Sequence, residues 1–199
     1  MRIAALDLEG VLIPEIWISF AEKTGINELR LTTRDISDYD VLMKRRLKIL
    51  AEKNLKLPDI QAVIDTLKPL EGAREFLDWL RTEYQVVILS DTFAEFAKPL
   101  MKQLGWPTLF CHSLEVLPSG EITNYKLRMK EQKRAAVEAF RKLNFKVVAA
   151  GDSYNDTAML KAADQGIFFR PPDNIKKEFP EFPVAETYAQ LRDLFKKFK

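Results

Sequence analysis

Short apolar runs without polar alternation constrain this chain most. Ile3-Ala4-Ala5-Leu6, Val86-Val87-Ile88-Leu89, Val147-Val148-Ala149-Ala150 and Ile167-Phe168-Phe169 read as strands buried on both faces. Stretches with helical spacing separate them, at 73–83, 93–104 (closed by Gly105), 132–143 and 156–163, and an amphipathic helix at 188–198 closes the chain. A further strand is expected at 108–111. A hairpin is expected from 114–117 to 122–125 through Pro118-Ser119-Gly120. Alternation of this kind predicts a parallel sheet with helices on both faces.

Residues 14–69 break the alternation. A helix is expected from Ile16 until Gly25 stops it, then a polar mixed stretch at 27–37, a helix at 39–54 capped by Asp38, and another opened by Pro58. This all-helical block reads as an insertion after the first strand. Its ends, Pro14 and Pro69, are expected close together above the C-terminal edge of the sheet, where an insertion can act as a lid. The expected division is a catalytic core at 1–13 and 70–199 with a helical cap at 14–69.

With 199 residues, 47% of them hydrophobic and 30% charged, the chain has the composition of a soluble enzyme with a full core. A net charge of +2, with no basic run interleaved with aromatics, argues against nucleic-acid binding. One cysteine, Cys111, excludes an internal disulfide and fits a reducing compartment; one histidine, His112, argues against a multi-histidine zinc site or a histidine-based triad. No apolar run reaches membrane-spanning length, and Asp7 interrupts any signal-like N-terminus, so a cytoplasmic location is expected.

Two carboxylate motifs follow strands. Asp7-Leu8-Glu9-Gly10 follows the first, and Gly151-Asp152-Ser153-Tyr154-Asn155-Asp156 follows Val147-Val148-Ala149-Ala150. Strand ends of open α/β sheets face the ligand crevice, so adjacent strands would gather Asp7, Glu9, Asp152 and Asp156. Clustered carboxylate oxygens suit Mg²⁺, and Mg²⁺ beside a reactive carboxylate suits phosphoryl transfer. Asp7 is the candidate nucleophile and Glu9 the candidate acid/base. Taken alone, Asp7 and Glu9 are more readily explained as a solvated strand end. Ser153-x-x-Asp156 also reads as a capping box with Asn155 as an N-cap, and Ser90-Asp91-Thr92 as a helix cap that could present the Ser90 hydroxyl to phosphate. Lys133 sits at a helix start, where a cation is disfavoured, and Lys126, Arg128 and Lys130 rival it locally. Lys44-Arg45-Arg46 reads as a solvated face, although an arginine can clamp a carboxylate and Glu15 can hold an ammonium group. No Gly-x-x-x-x-Gly-Lys loop or Gly-x-Gly-x-x-Gly fingerprint is present, which counts against nucleotide-driven and dinucleotide chemistry.

Taken in order, Asp7-x-Glu9-Gly10-Val11, Ser90, Lys133 and Gly151-Asp152-x-x-Asn155-Asp156 resemble the haloacid dehalogenase superfamily of phosphotransferases across the whole chain. The insertion and the hairpin resemble its phosphoserine phosphatase branch. Asp-Leu-Glu-Gly-Val-Leu-Ile-Pro-Glu, Ile-Leu-Ser-Asp-Thr-Phe and Ala-Ala-Gly-Asp-Ser-Tyr-Asn-Asp-Thr are similar to a bacterial group that also transfers phosphate to homoserine. The resemblance implies a haloacid dehalogenase-like α/β fold: a Rossmann-like parallel sheet with helices on both faces and a helical cap after the first strand. It implies hydrolysis of L-phosphoserine through an aspartyl-phosphate, with transfer to L-homoserine. It implies Mg²⁺ on Asp7, the Glu9 carbonyl and Asp152, with Asn155 and Asp156 nearby. Ser90 and Lys133 would bind the phosphoryl group, Glu15 the substrate ammonium and Arg46 its carboxylate. Glu9 stands where aspartate is usual and Asp91-Thr92 where this branch usually has glycines, changes expected to reshape the acceptor site. The competing expectations are a phosphatase for another small phosphometabolite and a phospho-aspartate signalling module, the latter disfavoured by the insertion.

Overall fold

The computed structural model describes residues 1–32, 35–36 and 38–198. Thr33, Arg34 and Ser37 of the polar stretch and Lys199 of the C-terminal tail lie outside the described residues. A seven-stranded sheet runs in the order β4-β3-β2-β1-β5-β6-β7. Its strands are β1 (Arg2–Leu6), β2 (Gln85–Phe93), β3 (Thr108–Val116), β4 (Ile122–Lys126), β5 (Lys146–Gly151), β6 (Gln165–Phe169) and β7 (Val184–Ala185). All pairings are parallel except β3 with β4. The non-alternating runs occupy the centre: Ala4, Ala5 and Leu6 of β1 and Val147 to Ala150 of β5 are fully buried. Register pairs Leu6 with Ala150, so the acidic residues that follow leave the sheet at the same edge.

Three helices follow β1: α1 (Ile16–Thr24), α2 (Tyr39–Glu52) and α3 (Leu57–Ile64). Gly25 ends α1 in the left-handed region at φ 71°, and the Asp38 carboxylate accepts the Asp40 and Val41 N–H groups at the start of α2. The two arms of this excursion meet where Leu70 N–H donates to the Leu12 carbonyl at 2.9 Å. Further on come α4 (Ala73–Glu83), α5 (Ala94–Gln103), α6 (Gln132–Lys142), α7 (Thr157–Ala162), α8 (Asp173–Glu178) and α9 (Tyr188–Lys197). Apolar side chains pack on both sheet faces, one layer containing Leu6, Phe76 and Phe195 and the other Ala5, Val137 and Phe168. No helix among the described residues is long and apolar enough to cross a membrane.

Several local expectations need correction. β2 does not stop at Leu89 but continues through Ser90-Asp91-Thr92 to Phe93, with a bulge between Leu89 and Phe93. Ser90 is therefore no helix cap, since α5 begins at Ala94. The expected strands at 108–111 and 114–117 form one nine-residue strand, β3. Asn155 lies inside a short 3-10 turn, Tyr154–Asp156, rather than capping α7. The short elements α8 and β7 gave too few residues for a periodicity to show.

The end of α9 is tied to the core through Phe195 and Phe198. Tyr84 Oη donates to the Phe195 carbonyl at 2.8 Å, and Arg2 donates to the Phe198 carbonyl at 3.1 Å. The Phe195 ring is fully buried edge-on to Tyr84, with centroids 5.4 Å apart. Phe195→Ala should lower unfolding free energy by about 3–5 kcal/mol. Urea denaturation measures it, and a loss below about 1 kcal/mol would mean the tail contributes little to the core.

Candidate active site

Backbone geometry gathers the carboxylates. Asp7 N–H donates to the Ala150 carbonyl at 2.9 Å, extending the β1–β5 ladder one residue past the sheet. The chain then turns sharply at Gly10, whose φ of 77° and proximity to the Asp152 carboxylate leave no room for a side chain. Gly151 is equally constrained, because a Cβ there would overlap the Asp156 carboxylate. Asp156 is fixed by its own loop: its Oδ2 accepts the Asp152 N–H at 2.9 Å and the Ser153 N–H at 3.1 Å. The capping-box expectation thus holds for Ser153 and Asp156.

Asp7, Asp152 and Asp156 are all buried, with one oxygen of each within 4.8 Å of the others. Lys133, from the first turn of α6, reaches in from the side. Its Nζ lies 2.8 Å from Asp7 Oδ1 and 2.8 Å from Asp156 Oδ1. Only 4% of Lys133 is exposed, whereas Lys126, Arg128 and Lys130 are all exposed. Burial alone would lower the Lys133 pKa, but Asp156 and Asp7 outweigh it and raise it well above the usual value. Burial, then the neighbouring Asp156 charge, raises the Asp7 pKa well above the carboxylate range, against the pull of Lys133. Three carboxyl groups beside one ammonium make a buried, oxygen-lined site. Such a donor set fits a hard divalent cation.

The Glu9 side chain, expected to join the cluster, is not among its three carboxylates and instead bonds the start of the helical excursion. Its Oε2 accepts the Ile16 N–H at the start of α1 at 2.9 Å. Burial, then the adjacent Glu15 charge, pushes its pKa up to about 8. Arg46 lies buried over this pair, with its guanidinium carbon 4.5 Å from the centre of the Trp17 ring. Burial lowers the Arg46 pKa to about 10, opposed by Tyr39, Glu9 and Glu15. Arg46 Nη2 donates to the Leu31 carbonyl at 2.8 Å, and its Nε is the one buried side-chain polar atom without a hydrogen bond among the described residues. Arg45 points outward.

Ser90 is 2% exposed in β2, and its Oγ accepts the Thr92 N–H at 3.2 Å. Asp91 lies at the edge of the cluster, with Oδ2 accepting from Asn155 Nδ2 at 2.9 Å and 3.6 Å from Lys133 Nζ. Gln132 and His112, which no motif singled out, are buried directly behind it. Tyr39 Oη, from α2, donates to the Asp91 carbonyl at 3.2 Å and joins the excursion to the core.

A family model for haloacid dehalogenase-like hydrolases matches residues 1–164. The chain is 64% identical to the phosphoserine phosphatase ThrH of Pseudomonas aeruginosa, over 99% of this chain and 96% of that protein. It is 63% identical to a phosphoserine phosphatase of Pseudomonas syringae, over 98% of this chain and 82% of that one. Among solved structures, the apo form of a phosphoserine phosphatase superposes with a TM-score of 0.80 at 25% identity, covering 100% of this chain and 99% of that one.

Glu15→Gln removes the charge that helps hold the Glu9 proton. In the metal-free protein the Glu9 pKa should then fall from about 8 toward the ordinary carboxylate range. Carboxyl ¹³C NMR reads it directly; an unmoved titration would leave burial as the sole cause.

Proposed function

The chain belongs to the haloacid dehalogenase-like hydrolases, and from that membership we propose that it dephosphorylates L-phosphoserine through an aspartyl-phosphate on Asp7. We further propose that it can pass the phosphoryl group to L-homoserine. The observation that carries the reading is the 64% identity to a phosphoserine phosphatase over 99% of this chain. The buried Asp7–Lys133–Asp156 contact supports its chemistry.

In this reading residues 14–69 form a cap over a core made of 1–13 and 70–199. Support comes from the tie between Leu12 and Leu70 at the neck and from contacts across the seam. Gln61 Nε2 donates to the Glu95 carbonyl at 2.9 Å and Tyr125 Oη to Asp40 Oδ1 at 2.6 Å. Arg46 is the cap's group for the substrate carboxylate and Glu15 its group for the ammonium. The unpartnered Arg46 Nε gives the first role a vacant donor.

Asp7 attacks phosphorus while Glu9, protonated at the start, gives its proton to the departing serine oxygen. A pKa near 8 suits a group that must hold a proton at neutral pH and surrender it in the reaction. Lys133, Ser90 and Asn155 orient and stabilise the phosphoryl oxygens. Glu9, now ionised, takes the proton of the acceptor that attacks the aspartyl-phosphate, whether water or an alcohol. The donor set fits Mg²⁺ held by Asp7, the Glu9 carbonyl and Asp152 with Asp156 behind, which would neutralise phosphate charge and permit two anions to meet. Asp91, in place of a glycine, bears on acceptor choice.

Phosphate release and phosphohomoserine formation from L-phosphoserine with Mg²⁺, with and without L-homoserine, test the reading. Phosphohomoserine gained at the expense of free phosphate is expected. Phosphate alone would leave hydrolysis and remove transfer, and no turnover of phosphoserine would overturn the substrate. Asp7→Asn should abolish both products, and survival of either would remove Asp7 as nucleophile.

A further inference from the structure

Asp91 poses a chemical question for a phosphoryl-transfer site. It sets an anion beside the place where a phosphate dianion must bind. Burial favours its neutral form, yet Lys133 and hydrogen bonds from His112, Asn155 and Gln132 hold its pKa well below the usual carboxylate range. The charge is therefore built in.

Its two oxygens have different surroundings. Oδ1 faces inward, where Gln132 Nε2 donates to it at 3.2 Å and His112 Nε2 lies 3.5 Å away. The histidine is fixed in its turn. Its Nδ1 accepts the Arg128 backbone N–H at 3.1 Å, so in the neutral ring the proton sits on Nε2, facing Asp91. Gln132 is oriented just as firmly: its Nε2 also donates to the Ser90 carbonyl at 2.5 Å, and its Oε1 accepts from Arg128 Nε at 3.1 Å. Both residues are almost wholly buried, at 5% and 2% exposure. The Asp91 side chain, by contrast, is 32% exposed. A carboxylate offers about four lone-pair sites. Gln132 donates to Oδ1, and the His112 ring lies against the same oxygen. Among the described residues, Oδ2 takes a close bond from Asn155 at 2.9 Å, with Lys133 at 3.6 Å, and keeps capacity toward the site.

We propose that His112 and Gln132 are positioning residues that hold one oxygen of Asp91 inward and so aim the other at the ammonium group of an amino-acid acceptor. The inference rests on the transfer reading above. An extended acceptor one methylene longer than serine, with its hydroxyl at phosphorus, carries its ammonium beyond the position of the serine ammonium. A second fixed carboxylate beside Lys133 gives that displaced cation a partner, and it offers no comparable advantage to water. The His112–Gln132–Asp91 arrangement thus biases the aspartyl-phosphate toward a cationic alcohol.

The test compares two acceptors of equal chain length, L-homoserine and 4-hydroxybutyrate, which lacks the ammonium group. Wild type and His112→Phe are assayed with L-phosphoserine and Mg²⁺. In the wild type, transfer to homoserine should exceed transfer to 4-hydroxybutyrate by about tenfold or more; in His112→Phe that preference should collapse while phosphoserine consumption stays within about threefold. Equal transfer to both acceptors by the wild type, or an undiminished preference in the variant, overturns the inference and leaves transfer standing. Transfer to neither acceptor overturns the transfer reading itself, and this inference with it. Should His112→Phe fail to fold, the single histidine lets the imidazole ¹⁵N spectrum decide in the wild type. An Nε2–H tautomer whose resonance shifts in Asp91→Asn supports the arrangement, and an Nδ1–H tautomer or an unmoved resonance overturns it.

Discussion

Repulsion among three buried carboxylates is the constraint around which this fold is arranged. Asp7, Asp152 and Asp156 meet because β1 and β5 pair in parallel and end at one level. Taking even one such ion out of water costs several kcal/mol unless it is paired. Lys133 supplies the protein's own counter-charge, and its 2.8 Å contacts to Asp7 and Asp156 bind α6 to the strand ends. Backbone amides supply more, since the Asp152 and Ser153 N–H groups both point at Asp156. What remains is a buried pocket lined by carboxylate oxygens that could hold a cation.

That constraint explains which glycines are indispensable. Gly10 and Gly151 flank the cluster on its two strands, and at each the space of a methyl group is occupied by a carboxylate. Gly151→Ala would therefore displace the group that anchors both the Asp152 loop and Lys133. Close approach of backbone and carboxylate is what lets two loops of a few residues deliver three acids to one point.

Legibility in the sequence followed the range of the interactions involved. The central strands declared themselves because burial on both faces leaves no polar residue in Val86-Val87-Ile88-Leu89 or Val147-Val148-Ala149-Ala150. Asp7 and Asp152 followed from their place after those strands. Lys133 was illegible by local rules, since a cation at a helix start is unfavourable until two carboxylates from distant strands surround it. It was reached only through the family resemblance. The passage of β2 through Ser90-Asp91-Thr92 was likewise hidden, because those residues have the chemistry of a cap and the strand bulges there. Gln132 and His112 carried no signal at all: a glutamine opening a helix looks solvated, and only the folded arrangement shows its amide between Ser90 and Asp91.

Asp91 also joins the two halves of the site. Its carboxylate answers to α6 through Gln132 and Lys133 and to the Asp152 loop through Asn155, while its carbonyl accepts from Tyr39 on α2. Asp91 thus ties α2 to the ends of β2 and β5. Were the α2 contact broken, Asp91 would keep its buried neighbours, Gln132 donating at 3.2 Å and His112 Nε2 at 3.5 Å. Under the proposed transfer reading, the anion would keep its orientation if the helical excursion moved away from the core. That property would suit the acceptor-binding role proposed for Asp91, in which a second substrate arrives after the first product has left.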